Sequence, residues 1–320
     1  MSIMPLKVAL QMDPIENINI DKDSSFALGL EAQKRGYELY YYQVKDLRLE
    51  NAKVLAFIYP VHFRREKGNH YTLGEPRIMD LEAEIDIILI RQDPPFDMNY
   101  ITATYILEHI KDQTLILNDP TEIRNSPEKM LVTYFPDLAP ETLITSDKNA
   151  IKEFYNKHKN VILKPLYGNG GEQIFHIDEN GLNINALLEM FDINYKEPII
   201  SQKYIPEVRQ GDKRIILIDG EIAGAFVRVP IEGETRANLD TGGASHKAVI
   251  TDRDKEICER LKPVLKERNL VFTGIDIIGD YITEINVTSP TGIMNINKLE
   301  GACIESDLWD AFERKLEERS

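Results

Sequence analysis

Short apolar runs alternate with longer mixed segments over the first third of this chain. Leu6 to Met12, Tyr37 to Val44, Val54 to Tyr59, Ile85 to Ile90 and Leu115 to Leu117 have the length and the branched or aromatic content of strands. Helix signals lie between them. Asp23-Ser-Ser-Phe offers capping residues ahead of an amphipathic run that reaches Arg35 and stops at Gly36. Tyr100 to Ile110 reads as a second helix, and the charged stretch between Phe63 and Tyr71 as a surface loop. Strands separated by helices predict an α/β domain with a parallel sheet, residues 1–124.

The pattern then changes. Ser126 can cap a helix, Pro127 suits its first turn, and Glu128 to Thr133 carries it on. Further helices are expected at Ile151 to Lys157 and around Glu189, with strands at Val161 to Lys164, Gln173 to Ile177 and Pro198 to Gln202. From Tyr204 the strands lengthen, at Arg214 to Ile218 and Glu221 to Val229, and helices follow at Asp252 to Glu267 and Glu305 to Arg319. These segments predict an α+β region in two lobes, 125–203 and 204–320.

The most informative stretch is Thr273 to Pro290. Ile275, Ile277, Ile278, Ile282, Ile285 and Val287 supply strand propensity, and Gly279-Asp280 marks a turn between two strands. Glu284 and Asn286 are two apart, so they share a face. A three-residue turn would set Asp276 opposite Glu284 on that face, whereas a two-residue turn would put it on the other. Two carboxylates and an amide on one face suit Mg²⁺, which takes oxygen ligands and shares its shell with phosphates. On a hairpin that stood alone, such residues are more often solvated acids.

Composition narrows the classes. The 320 residues exceed one compact core, so several lobes are expected. A net charge of −15 argues against nonspecific binding to nucleic acid or membranes. Positive charge is nonetheless concentrated, with Lys203, Arg209, Lys213, Arg214, Arg228, Arg236 and Lys247 in one stretch. No apolar run approaches a membrane span, and Met1-Ser-Ile-Met-Pro5 does not read as a secretory signal. Cys258 and Cys303 are too few for a disulfide framework, so a cytoplasmic location is expected.

Three loops carry candidate chemistry. Lys164-Pro-Leu-Tyr-Gly-Asn-Gly-Gly171 joins two strands, and its glycines can form either a phosphate nest or a tight, flexible hairpin. Lys164, ending an apolar strand, calls for an anionic partner. Val229 to Ser245 has little apolar content and three glycines, which fits a lid carrying Arg236 or a solvated loop. Arg91-Gln-Asp-Pro-Pro-Phe96 follows a strand at the end where α/β sheets bind ligands, or is a rigid turn made by its prolines. The same argument applies to Met12-Asp13 and the polar loop through Asn19 and Asp23.

The order of these features resembles the ATP-grasp ligases and, more narrowly, the bacterial glutathione synthetase family, over nearly the whole chain. Lys129 lies in a helix before the Gly-rich loop, Lys164 precedes the loop, and Gln202-Lys-Tyr-Ile205, Gly211-Asp-Lys-Arg214, the lid and the Asp276/Glu284/Asn286 set follow. Met12 to Ser25, Arg91 to Asp97 and Gly233-Glu-Thr-Arg236 extend the match. Departures are Glu232 and Ala237 where lid glycines are expected, Ala244-Ser245 where an arginine is expected, and Thr291 to Asn295, which lacks a cysteine and an arginine.

The resemblance implies a pre-ATP-grasp domain followed by a two-lobed ATP-grasp fold. It implies ligation of γ-glutamylcysteine and glycine through an acyl phosphate, with ATP as co-substrate and Mg²⁺, or Mn²⁺, as cofactor. ATP would meet Lys129, Lys164, Gly168, Asn169, Gly170, Gly171, Gln202, Tyr204, Ile205 and Asp212. Arg214, Arg228 and Arg236 would be catalytic, and Asp276, Glu284 and Asn286 would hold the metal. Substrates would meet Asp13, Asn19, Asp23, Arg91, Asp93, Ser289 and Pro290. A homotetramer is implied as well. A ligase for another acid or amine, and a nucleotide-binding module without ligase activity, are the alternatives.

Overall fold

The computed structural model describes residues 5–231 and 244–319. Arg236 and most of the expected lid therefore lie outside the described residues, as do Glu232 and Ala237. The described chain forms three sheets.

The first sheet contains β1 (Lys7–Met12), β2 (Glu38–Tyr42), β3 (Leu47–Glu50), β4 (Lys53–Phe63), β5 (Tyr71–Leu73), β6 (Arg77–Asp80), β7 (Ile87–Arg91) and β8 (Leu115–Leu117). The order is β3-β4-β2-β1-β7-β8, and β5 and β6 also pair with β4. Strands β2, β1, β7 and β8 are parallel, as the alternation with helices predicts. The rest corrects that expectation: β4 runs antiparallel to β2, β3, β5 and β6. The reason is visible in burial. Strand β7 is buried at every residue, the mark of a strand covered on both faces, while β4 alternates between buried and partly exposed positions. The stretch after Phe63 is the connection of the β4–β5 hairpin, closed by the Arg64 N–H donating to the His70 carbonyl.

The second sheet is antiparallel, β11-β10-β12-β9, with β9 (Thr142–Thr145), β10 (Val161–Pro165), β11 (Phe175–Ile177) and β12 (Ile199–Lys203). Helices Lys148–His158 and Ile184–Asn194 cover it with a small core of their own, including Ile151, Leu163, Leu188 and Phe191. The helix ahead of this sheet is shorter than expected, Glu128–Leu131. Ser126 does not cap it, because its hydroxyl is buried and accepts from Arg268 Nη1 at 2.9 Å.

The third sheet, β15-β14-β13-β16-β17, comprises β13 (Asp212–Ile218), β14 (Glu221–Val229), β15 (Ala244–Lys247), β16 (Phe272–Ile278) and β17 (Tyr281–Asn286). Ala244 and Ser245, expected in a loop, are paired strand residues. One face packs Ile215, Leu217, Ile275 and Ile277 against Ile257, Leu261 and Leu265 of helix Asp252–Glu267. From the other, Ile216, Ile218 and Phe226 enter the core of the first sheet, with Phe26, Leu28, Trp309 and Phe312. Burying each such side chain contributes about 2 kcal/mol, so the first and third sheets are joined by a common core. Among the described residues, no helix is long and apolar enough to cross a membrane.

Candidate active site

The three sheets surround a cleft of about 700 Å³, within the size range of ligand pockets. Its centre is built by cross-strand pairing in the third sheet. Asp212 faces Arg228 across β13 and β14, and Arg214 faces Asp276 across β13 and β16. Asp276 in turn faces Glu284 across β16 and β17. This last pairing needs a device. The turn is the two-residue Gly279-Asp280, which alone would put Asp276 and Glu284 on opposite faces. A β-bulge beyond the Ile277–Ile282 pair leaves Thr283 as an extra residue and restores the common face.

The side chains form one ionic network. Arg214 grips Asp276 in a fork, Nη2 donating to Oδ2 at 2.8 Å and Nε to Oδ1. Arg228 Nη2 lies 2.9 Å from Asp276 Oδ1 and donates to Asp212 Oδ2 at 2.5 Å. Asn286 Nδ2 donates to Asp276 Oδ2 at 3.3 Å. Glu284 Oε1 is 3.5 Å from Lys129 Nζ and 3.7 Å from Lys164 Nζ. Lys129 also pairs with Glu128 and donates to the Gly168 carbonyl at 2.6 Å.

Burial opposes ionisation of Asp276, yet Arg214 and Arg228 outweigh it and hold the carboxyl well below the usual range. Glu284 is likewise lowered: burial raises it, and Lys129 and Lys164 prevail. Asp212 goes the other way, pushed up by burial to about 7 despite Arg228. Burial also raises Glu128 and lowers Lys164. Asp212 Oδ1 and Arg228 Nε are buried with no hydrogen-bond partner among the described residues. Such orphans in a cleft are what a polar ligand satisfies.

The Gly-rich loop between β10 and β11 brings Gly168, Asn169, Gly170 and Gly171 to the cleft. Gly170 and Gly171 have φ of +62° and +78°, a pair of left-handed residues that few other side chains would allow. Tyr167 of the loop stacks on Phe96 of the first domain, centroids 6.2 Å apart. Gln202, Tyr204 and Ile205 line a further wall. Gln202 Nε2 donates to Thr142 Oγ1 at 2.9 Å, and the Tyr204 ring stacks on His176 at 4.0 Å. Apolar Ile162, Ile174 and Val208 complete a slot suited to a flat ring.

On the side of the first domain, Asp13, Asn19, Asp23, Asp93, Ser289 and Pro290 line the cleft. The Asp93 N–H donates to Asp13 Oδ2 at 2.7 Å, and Ser289 Oγ to Asp93 Oδ1 at 3.0 Å. Asp23 caps its helix through the Phe26 N–H, and burial raises both Asp13 and Asp23. Arg91 is the exception among the expected substrate residues. It is buried behind this wall, where its Nε donates to Ser25 Oγ and its Nη2 to the Pro290 carbonyl, both at 2.9 Å. It shapes the wall without lining the cleft.

Sequence reasoning missed Glu128, Thr283 and Phe226 at the cleft. Glu128 gave no sign of its own, since neighbouring positions on a helix normally diverge. Thr283 could have been found, because Ile282 and Ile285 are three apart, a break in the period of two. The donor set Asp276, Glu284 and Asn286 is all oxygen and shares one face, which fits a small hard cation.

Comparison with known proteins accords with this architecture. Residues 6–124 match the family model described as prokaryotic glutathione synthetase, N-terminal domain. Residues 128–301 match prokaryotic glutathione synthetase, ATP-grasp domain. A glutathione synthetase of Brucella melitensis is 54% identical over 312 residues, covering 98% of this chain and 100% of the relative. One from Vibrio parahaemolyticus is 42% identical over 313 residues, covering 97% and 99%. Among solved structures, D-cycloserine synthetase DcsG superposes with a TM-score of 0.67 at 12% identity, covering 98% and 100%. The ATP-grasp ligase PsnB, complexed with a precursor variant, Mg and ADP, gives 0.61 at 17%, covering 97% and 98%. These structures share the ATP-grasp fold. With both domains matched and close relatives spanning nearly its full length, the chain belongs to the prokaryotic glutathione synthetase family of ATP-dependent, ADP-forming ligases.

Proposed function

We propose that this cleft joins γ-glutamylcysteine to glycine, converting ATP to ADP and phosphate and releasing glutathione. Family membership over both domains supports the reaction, and the buried ionic network at the cleft centre supports the residue roles. A carboxylate is a poor electrophile, so the cysteinyl carboxylate of the dipeptide is first phosphorylated. The glycine amine then attacks the acyl carbon and phosphate leaves. Phosphoryl transfer between anions demands positioning and charge neutralisation more than covalent help from the protein.

In this reading 1–124 is the substrate domain, and 125–203 and 204–320 are the lobes that hold ATP. Lys129 and Lys164 contact the α- and β-phosphates, and the Gly168 to Gly171 backbone cradles them. Gln202, Tyr204 and Ile205 hold adenine, and Asp212 offers its unpaired oxygen to the nucleotide. Arg214 and Arg228 stabilise the acyl phosphate and the oxyanion that follows, with Arg236 acting from the lid. Asp13, Asn19, Asp23, Asp93, Ser289 and Pro290 receive the dipeptide or glycine. Asp276, Glu284 and Asn286 would hold Mg²⁺, or Mn²⁺, which supplies charge to the transferring phosphate. We take the protein to act in the cytoplasm as a homotetramer, which sedimentation velocity would check.

ADP release with γ-glutamylcysteine, with and without glycine, tests the reaction. We expect sustained release only with both substrates, and a product of the mass of glutathione. Release supported better by another amine would redefine the acceptor, and no substrate-dependent release would leave a nucleotide-binding module.

A further inference from the structure

Arg91 is a buried charge whose hydrogen-bond acceptors are neutral. Its Nε and Nη2 donate to the Ser25 hydroxyl and the Pro290 carbonyl, and the guanidinium lies over the Phe272 ring, 5.2 Å from the centroid. Its own carbonyl accepts from Ser289 Oγ at 3.2 Å. One residue at the end of β7 thus clasps two consecutive residues of the third-sheet lobe, once through its backbone and once through its side chain. A guanidinium buried on neutral acceptors is costly, and an apolar side chain would fill the space at lower cost. The stretch it clasps is irregular. Residues 287–292 join β17 to helix Ile293–Glu300, and Thr288 to Gly292 line the cleft. Ser289 has φ of +43°, a left-handed backbone that a residue with a side chain rarely adopts unless its surroundings hold it there. Two residues on, the Thr291 carbonyl accepts from Arg214 Nη1 at 3.3 Å.

We infer that Arg91 is a positioning residue: it holds the Ser289-Pro290-Thr291 turn from behind and, through the Thr291 carbonyl, sets the plane in which the Arg214 guanidinium meets the cleft. The inference rests on the proposed reading of Arg214 as a group that stabilises the acyl phosphate. Arg214 is held at three nitrogens. Asp276 takes Nε and Nη2, and Thr291 takes Nη1. Asp276 lies in the ladder of the third sheet, so its place follows from strand pairing. Thr291 lies outside any strand or helix, so its place depends on what anchors the turn. Arg91 Nη2 bonds the carbonyl just before it, and Asp93 adds a contact to Ser289 Oγ at 3.0 Å. A lysine would not do the same, because one ammonium on a flexible stem neither spans two acceptors in a plane nor lies flat on an aromatic ring. A displacement of about 1 Å at a group that stabilises developing charge is worth up to about 100-fold in rate.

The test uses Arg91→Lys, which keeps the charge and loses the fork, and Ser25→Ala, which keeps the guanidinium and removes one anchor. Steady-state ligation of γ-glutamylcysteine and glycine is measured beside calorimetric binding of a nonhydrolysable Mg-ATP analogue and hydrogen exchange. Arg91→Lys should lower kcat about tenfold and leave analogue affinity within about twofold, because Lys129, Lys164 and the Gly-rich loop belong to other elements. Ser25→Ala should lower kcat about threefold, and it carries the test if Arg91→Lys does not fold. Exchange at Thr288, Ser289, Thr291 and Gly292 should quicken in both variants. A residue that only joined the domains would lower the melting temperature and leave kcat per folded molecule unchanged. A kcat within about twofold of wild type in folded Arg91→Lys therefore overturns the inference. So does unchanged exchange at these residues in the folded variants, or a loss of analogue affinity in proportion to kcat. A wild-type protein that binds the analogue without ligating fails the proposed reaction instead, and exchange alone then decides whether Arg91 holds the turn.

Discussion

At the scale of single residues, Lys164 and Asp212 give opposite and separable predictions. Lys164 is buried at the cleft with Glu284 as its nearest carboxylate. Lys164→Ala should weaken binding of a nonhydrolysable Mg-ATP analogue by tenfold or more, about the worth of a charge-assisted phosphate contact, which calorimetry would read. Asp212 concerns pH. Its folded pKa is about 7, above the 3.8 of an ordinary aspartate. A raised carboxylate makes the folded state hold the extra proton, so stability falls as pH rises between those values and levels off above 7. Melting temperature of the ligand-free protein should therefore decline from pH 5 to 7, and Asp212→Asn should flatten the decline. Asp276 has the opposite sign. Its lowered pKa contributes stability at neutral pH that is lost as pH falls below about 3.8, so acid unfolding should move to higher pH when Arg228 is replaced by Met.

At the scale of elements, the Gly-rich loop is docked at two points. Lys129 holds the Gly168 carbonyl from the lobe behind it, and Tyr167 stacks on Phe96 across the cleft. An aromatic pair of this kind is worth about 1 kcal/mol, so Tyr167→Ala should raise KM for substrates by a few fold while lowering the melting temperature by only about 2 °C. Hydrogen exchange in residues 166–174 should quicken in the same variant. Much at this scale was legible in the sequence. Helix Asp252–Glu267 and strands β8 and β14 have the bounds expected from the sequence. Strands β3 and β6 were not legible, because they are short, partly exposed and carry charged residues, so their identity comes from pairing with β4. The bulge at Thr283 was half legible: the register question was visible, and its answer depended on which isoleucines find the core. Ser126 failed for a similar reason, since a distant arginine, Arg268, claims its hydroxyl.

At the scale of the whole molecule, the cleft residues were legible as types while their mutual pairing was not. Lys164, Arg214 and Asp276 announce themselves as charges within apolar strands, but only the third sheet brings Arg214 and Arg228 onto one carboxylate. The sharing of one core by the first and third sheets was invisible, because it joins residues nearly 300 positions apart. Trp309 on the last helix is fully buried and donates through Nε1 to the Leu28 carbonyl at 2.9 Å. Arg35 meets Glu313 at 2.6 Å in the same contact. Trp309→Ala should cost about 3–5 kcal/mol. It should lower the melting of the first and third sheets together and affect the second sheet least, which site-specific hydrogen exchange would resolve.

That late contact has a consequence for synthesis. Helix Ser24–Lys34 emerges from the ribosome long before the surface that covers it, which belongs to Ile304–Glu317. Until that stretch is made, the first sheet waits with Phe26 and Leu28 lacking their final neighbours, an interval in which exposed apolar surface invites chaperones. A nascent chain stalled before residue 300 should therefore stay protease-sensitive in its N-terminal third, and release of the last helix should close it.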